Sequence, residues 1–524
     1  MKRSNIILFV VLGLMLIPWL GESLFNSKGE PREAIVAVSM LDSGNWILPE
    51  SYGQDIPYKP PMLAWLISIC SLLLNGGHVS EFTSRLPSAL AAIMLLIGGY
   101  RLLRTRYDRT FSWLVTIITL TSVEFFRASI ACRVDMVLTA AMVGGIYALY
   151  RLDENRLNYL WAMLLLSVAT LTKGPVGSLL PCLAMGLYFL LRGDNFWLTL
   201  LKLCAVCVAS FVIPALWYWA AWHQGGKEFL DLAMEENVGR LTGTMSYESH
   251  VNPWWYNILT ILAGMLPWTI FVIVGLCYRR IRRAIRALKF DRGLPLMAWT
   301  VALTIFIFYC IPASKRSVYL LPMYPFMAYG AAWTIGKMRD THFMHVSANV
   351  LAAIAVVAPI VMMILPLTPA RVPLEPMPWW RLPFGLIPVV TGLWWLLTRK
   401  RSSNAVSGIV LSVYVLLLSY HAVFAPMVLN PKSDIRAAET IAAKVPAGEQ
   451  QYVWSVIPDD PLMRYYTINY YLHDSMRRAV SFDSVPAGQW VIAPVAPEGV
   501  KADTIQRRSC DNRKTIVMFR KGEP

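Results

Sequence analysis

Charged side chains are scarce in this chain: Asp, Glu, Lys and Arg make up 15% of its 524 residues, against about 25% in an ordinary soluble domain. That deficit excludes a solvated globular protein of this length. Histidine is sparse as well, with seven in all, and no His/Cys/Asp set has metal-ligand spacing. The eight cysteines, Cys70, Cys132, Cys182, Cys204, Cys207, Cys277, Cys310 and Cys510, lie mostly inside apolar runs. Cys204 and Cys207 form a CxxC with no second pair, so nothing points to a disulfide framework, and packing is the expected role of these thiols. Internal repeats and low-complexity tracts are also lacking.

Apolar residues are abundant instead: 56% of the chain, including 20 Trp, with a mean hydropathy of +0.48. Long apolar runs recur from residue 5 to about 430, the pattern of a polytopic membrane protein. The N-terminal MKRSNIILFVVLGLMLIPWL has a basic start and an apolar run but no small-x-small cleavage site, so it reads as an uncleaved first span. Thirteen spans are expected, at 4–24, 82–104, 110–126, 134–151, 157–172, 176–192, 197–222, 254–278, 294–312, 317–337, 345–366, 380–398 and 404–428. The run 62–75 is too short to cross comfortably and is expected to lie along the membrane surface.

With a cytoplasmic N-terminus, the turns on that side carry 21 basic and six acidic residues, a strong positive-inside bias. This clustering in short turns also explains the net charge of +16 without nucleic acid. The long connections 25–81, 223–253 and 367–379 and the tail from about 430 then face the opposite side. In the tail, SDIRAAETIAAKV (433–445) has helical spacing, whereas QYVWSV, INYYL, QWVIAPV and KTIVMFRK are rich in the β-branched and aromatic residues of strands. Residues 1–430 are therefore expected to form a membrane domain and 431–524 a small soluble α/β domain on the non-cytoplasmic side.

The outward connections hold an unusual set of ionisable groups. EPREAIVAVSML (30–41) is an amphipathic surface helix with Glu30 and Arg32 at its start. Glu30 can cap that helix or serve as a general base at the membrane boundary. In YKPPMLAW (58–65), Tyr58 and Lys59 stand before two prolines that fix an extended entry to a surface helix. Lys59 at head-group depth either snorkels or meets a phosphate as a point charge. Asp135 opens span four in ACRVDMVLTAAM, with Arg133 as an available partner; an ionisable group there is expensive and usually functional. Lys173 in TLTKGPVGS can simply end a helix. MEENVGRLTGTMSYESH gathers Glu235, Glu236, Asn237 and Arg240, and PWWY (253–256) is an aromatic belt. In PASKRSVYLLPMYP, Lys315 and Arg316 are basic on the face where the orientation rule disfavours them, with Tyr319 one turn on. An anionic ligand accounts for that departure. Together, carboxylates at Glu30 and Asp135 and cations at Arg32, Lys59, Arg240, Lys315 and Arg316 suit a phosphate head group whose hydrocarbon stays in lipid. Displacement of that phosphate at a sugar's anomeric carbon needs a base for the nucleophile and cations for the leaving group.

At these residues the chain resembles the lipid-linked-sugar glycosyltransferases of the GT-C fold. More narrowly, it is similar to bacterial aminoarabinose-to-lipid-A transferases and protein O-mannosyltransferases. The likeness runs in order through GEPREAIVAVSMLDSGNWILP, PYKPPMLAWL, RVDMVLTAAM, LTKGPVGSLLP, EENVGRL, PWWYNILTILAGMLPW and SKRSVYLLPMYP. It implies an all-α polytopic membrane protein of the GT-C fold with about 13 transmembrane helices and a small periplasmic C-terminal domain. It implies a polyprenyl-phosphate sugar, undecaprenyl phosphate being the carrier, used with inversion at the periplasmic face of the inner membrane. Donor-phosphate roles are implied for Lys59, Arg240 and Tyr319, with Lys315 and Arg316 beside them. Asp135 is implied as catalytic, and Arg32, Tyr58, Lys173 and Glu236 as supporting residues. The family's first loop begins with an Asp-Glu pair; here Gly29 stands at the Asp position and Glu30 remains. Glu30 then takes over, Asp135 carries more of the work, or the acceptor differs. Asn237 stands where the aminoarabinose branch tends to have His, so no metal is carried over, although a divalent cation stays open as a cofactor. Lipid A, a glycan or a protein is the expected acceptor, membrane lipids the surroundings, and a monomer the expected state. The competing readings are a flippase for lipid-linked sugars, against which the lack of repeated halves counts, and a transferase of a non-sugar group to lipid A.

Overall fold

The computed structural model describes residues 3–57, 59–239, 251–286, 291–368, 374–398, 404–446, 448–454 and 464–522. A helix occupies each of the thirteen apolar segments, but not always as one rod. Among the described residues, five helices are long and apolar enough to cross a membrane, and seven if each of two bent pairs counts as one span. The first segment is helical only over Arg3–Leu16, shorter than the expected 4–24, because Pro18 follows closely. The third breaks between Arg109–Thr121 and Val123–Ser129 with a bend of 72°, and the eighth between Tyr256–Gly264 and Trp268–Cys277 with a bend of 106°. The two breaks meet: Val123 N donates to the Leu266 carbonyl at 3.2 Å, and Trp268 Nε1 to Thr121 Oγ1 at 3.0 Å. Backbone groups freed by one kink are thus satisfied at the other, as an apolar medium demands.

The first long connection folds as two helices, Pro31–Ser43 and Met62–Asn75. The first has Pro31 at its start, where the missing N–H costs nothing, and ends at Gly44 with φ 70°, a left-handed turn that suits glycine. It buries Ala34, Ile35, Ala37, Val38 and Met40. The second buries Leu63, Ala64 and Ile67 but leaves Leu72, Leu73 and Leu74 exposed, as a helix lying on lipid would.

The C-terminal segment is an α/β unit. Its five-stranded sheet has the order β2-β1-β3-β5-β4, with strands Gln451–Val453 (β1), Met476–Arg478 (β2), Trp490–Ala493 (β3), Asp503–Gln506 (β4) and Ile516–Arg520 (β5). β1 runs parallel to β2 and β3; β5 is antiparallel to β3 and β4. One expected strand is corrected: INYYL lies in the helix Tyr466–Tyr471. Packing overrides the strand propensity of its aromatics, since Tyr470 Oη reaches the Val79 carbonyl and Tyr471 Oη reaches Glu81. The buried core of this unit includes Ile35 and Tyr52 of the first connection alongside Ala438, Ile468, Met476 and Ile492. Asp474 fixes the contact by accepting from Ser39 Oγ at 2.7 Å and Tyr52 N at 2.9 Å. Nearby, Asp434, Cys510 and Asp511 converge, but hydrogen bonds from Ser509, Gln506, Thr467 and the Cys510 N–H occupy both carboxylates.

Candidate active site

A cavity of about 870 Å³ lies between the first connection, the adjoining ends of the helices and the C-terminal unit. Eight basic and six acidic side chains line it, so its wall carries a net positive charge that suits an anion.

On one side is the start of the helix Pro31–Ser43. Glu33 lies in its first turn, where the helix N-terminus favours a carboxylate. Glu33 Oε1 is ion-paired with Lys59 and, at 3.2 Å, with Arg32. Lys59 stands just before Pro60 and Pro61, and Pro61 already has the helical backbone (φ −84°, ψ −5°) that opens the next helix. Burial pulls the Lys59 ammonium down to about 8, against the upward pull of Glu33. Burial pushes the Glu33 carboxyl up, but Lys59 and Arg32 outweigh it and hold the group below its ordinary value.

Facing this pair is the start of the helix Val134–Tyr150, with Asp135 in its first turn. Asp135 Oδ1 accepts from Lys173 Nζ at 2.7 Å, and Oδ2 lies 3.6 Å from Arg133 Nε. Lys173 ends the helix Leu157–Lys173 and is followed by Gly174 at φ 82°. Glycine is required there twice over, because a Cβ would also fall 2.1 Å from Asn237 Oδ1 of the helical turn Glu235–Gly239. The Lys173 ammonium sits 4.3 Å over the ring of Tyr319, which lies on the short 3₁₀ helix Ser317–Met323 just after Arg316. The far wall comes from the C-terminal unit: Arg464 Nε and Arg478 Nη1 share Asp55, at 2.7 and 3.4 Å.

Of the residues singled out from sequence, Lys59, Asp135, Arg316, Tyr319, Arg32, Glu236 and Lys173 line this cavity. Glu30 does not. Its carboxylate accepts from Arg85 Nε and Nη2 at 2.8 and 3.0 Å and from the Cys132 N–H at 2.9 Å. Nor does it cap the helix with its side chain. Burial pushes its carboxyl up, yet Arg85 and the Cys132 N–H outweigh that and keep it ionised below the ordinary range. Lys315 also turns away, donating to the Pro312 carbonyl at 2.6 Å. Tyr58 and Arg240 lie outside the described residues. Sequence reasoning missed Glu33, although its place in the first turn after Pro31, facing a lysine-proline motif, was a usable signal. It also missed Arg464, Tyr466 and Arg478, which no local pattern connects to a cavity built some 400 residues earlier in the chain.

Comparison with known proteins follows the same lines. The profile of the family described as dolichyl-phosphate-mannose-protein mannosyltransferase matches residues 58–219. An uncharacterized protein of Aquifex aeolicus is 31% identical over 304 residues, 57% of this chain and 65% of that protein. The undecaprenyl phosphate-alpha-4-amino-4-deoxy-L-arabinose arabinosyl transferase of Shewanella sediminis is 27% identical over 351 residues, 62% of this chain and 58% of that protein. The chain thus spans about three fifths of the length of the curated relatives it matches. Among solved structures, ArnT from Cupriavidus metallidurans bound to undecaprenyl phosphate superposes with a TM-score of 0.72 at 20% identity, covering 99% of this chain and 98% of that one. The Archaeoglobus fulgidus oligosaccharyltransferase gives 0.51 at 12% identity, covering 91% and 64%. The chain has the GT-C fold and resembles the aminoarabinose-transferase and protein-mannosyltransferase families.

Proposed function

We propose that this chain is an inverting integral-membrane glycosyltransferase. It moves a sugar from a polyprenyl-phosphate donor, with undecaprenyl phosphate as carrier, to lipid A, a glycan or a protein. One observation carries the reading: separate connections bring Lys59, Arg316, Tyr319 and two carboxylates, Glu33 and Asp135, to one cavity of net positive charge. The fold of the undecaprenyl-phosphate-bound ArnT structure and the printed activity of the Shewanella relative support it.

In this reading the donor phosphate lies against Lys59, Arg316 and the Tyr319 hydroxyl. These donors stabilise the charge that grows on the leaving phosphate. Asp135 and Lys173 hold the floor of the site, and Glu30 locks the first connection to Arg85. The thirteen apolar segments cross the inner membrane with the N-terminus cytoplasmic, and the C-terminal unit roofs the cavity on the periplasmic side. The shorter helices reach across with help from their flanking turns.

The test is mass spectrometry of lipid A and membrane glycans from cells with and without the gene. A product one sugar lighter is expected in its absence. Identical profiles, with no turnover of undecaprenyl-phosphate sugars by the purified protein, overturn the reading.

A further inference from the structure

We propose, resting on the transferase reading above, that Glu33 is the general base of the reaction and that Lys59 shields it until a donor phosphate takes the lysine over. Three observations lead there. First, the neighbouring carboxylate is spent: Glu30 is locked by Arg85 and the Cys132 N–H and does not line the cavity. Gly29 offers nothing in its place, and a Cβ on it would fall 2.4 Å from Arg133 Nη1, so the guanidinium occupies that space. Second, Asp135 lies between Lys173 and Arg133, with its side chain 5% exposed. Glu33, at 11%, is the more exposed of the two, and Lys59 and Arg32 both meet it at one oxygen, Oε1. Third, that lysine is the cavity cation best placed to change partners. It lines the cavity beside Glu33, and an anion with two or three charge-bearing oxygens competes well with one carboxylate for an ammonium.

Donor binding then does two things at once. The phosphate draws the Lys59 ammonium away, and the Glu33 carboxylate, relieved of it, becomes more basic. An acceptor hydroxyl hydrogen-bonds to the Glu33 carboxylate, whose Oε1 then keeps Arg32 as its partner. Its proton passes to Glu33 as its oxygen forms the bond to the anomeric carbon. The bond from that carbon to the phosphate oxygen breaks, and its electron pair leaves on undecaprenyl phosphate, whose added charge faces Lys59. Glu33 returns its proton to solvent after the products depart. An ionised phosphate acceptor would need no base, so this inference commits the acceptor to an alcohol.

The experiment uses the full chain. Cells lacking the gene are complemented with wild type, Glu33→Gln or Glu33→Asp, and the glycosylated product is quantified by mass spectrometry. Binding of undecaprenyl phosphate to each purified protein is measured in parallel. Glu33→Gln is expected to lower product by about a hundredfold or more, while undecaprenyl phosphate binds equally well or several-fold tighter. Product within twofold of wild type overturns the proposal and favours a phosphate acceptor. Product loss matched by weaker undecaprenyl phosphate binding also overturns it, because Glu33 then only positions Lys59. Should Glu33→Gln fail to accumulate, Glu33→Asp decides: a roughly tenfold product loss with intact binding supports the base, and unchanged product overturns it. If wild type itself restores no product, the transferase reading fails instead.

Discussion

The Lys173 ammonium lies 4.3 Å above the Tyr319 ring while donating to Asp135 Oδ1 at 2.7 Å. Three stretches far apart in sequence are joined through one amine. Removing the amine leaves the Asp135 carboxylate, 5% exposed, with Arg133 at 3.6 Å as its remaining ion pair. Lys173→Met is expected to destabilise the protein by about 3 kcal/mol, the usual cost of breaking a buried pair. Tyr319→Leu removes a cation–π contact and is expected to cost about 1 kcal/mol. Tyr319→Phe keeps the ring, and with it the cation–π contact, and should cost less than Tyr319→Leu. Thermal unfolding in detergent ranks the three.

Glu30 gives a different signature. Its bond to Arg85 is bidentate and both side chains are largely buried. Glu30→Gln is expected to lower stability by about 3 kcal/mol, while the molecules that remain folded keep wild-type turnover. The folded carboxyl titrates below its ordinary 4.5. Its contribution is therefore complete above about pH 4.5 and is lost as pH falls through the depressed value. The acid limb of a stability–pH curve should accordingly be shallower in Glu30→Gln. Loss of turnover per folded molecule would place Glu30 in the chemistry instead.

Lys59 is expected to impose an alkaline limit on ligand binding. Burial lowers its ammonium to about 8, so above that pH the empty site increasingly holds a neutral amine. Affinity for undecaprenyl phosphate should weaken as pH rises through 8. Lys59→Arg, whose guanidinium stays charged, should lack this inflection. A titration of binding from pH 7 to 9.5, at fixed ionic strength, separates the two proteins.

Much of this was legible beforehand. Period and length of the apolar runs place the helices, and the misplaced charges Lys59, Asp135 and Arg316 mark the cavity, because charge near lipid is costly enough to need a reason. Side-chain direction was not legible. Glu30 and Glu33 lie three residues apart on one short stretch, yet one is claimed by Arg85 behind it and the other faces the cavity. That choice depends on Arg85, a buried residue on the helix Glu81–Leu103. Lys315 and Arg316 divide the same way, one toward Pro312 and one toward the cavity. The helical fate of INYYL and the kinks at Ser122 and Leu266 follow from tertiary neighbours that no local window contains.

The common core of Ile35 and Tyr52 with Ile468, Met476 and Ile492 has a consequence for biogenesis. On the proposed membrane reading, the helical bundle is threaded into lipid while the segment that completes its cavity is still on the ribosome. A chain at that stage carries a half-built cavity, with Asp55 waiting for Arg464 and Arg478. Competence is then acquired late and all at once, when the tail docks on a segment translated hundreds of codons earlier. Premature stop codons anywhere in the last strands should thus abolish turnover in proteins that are otherwise correctly inserted.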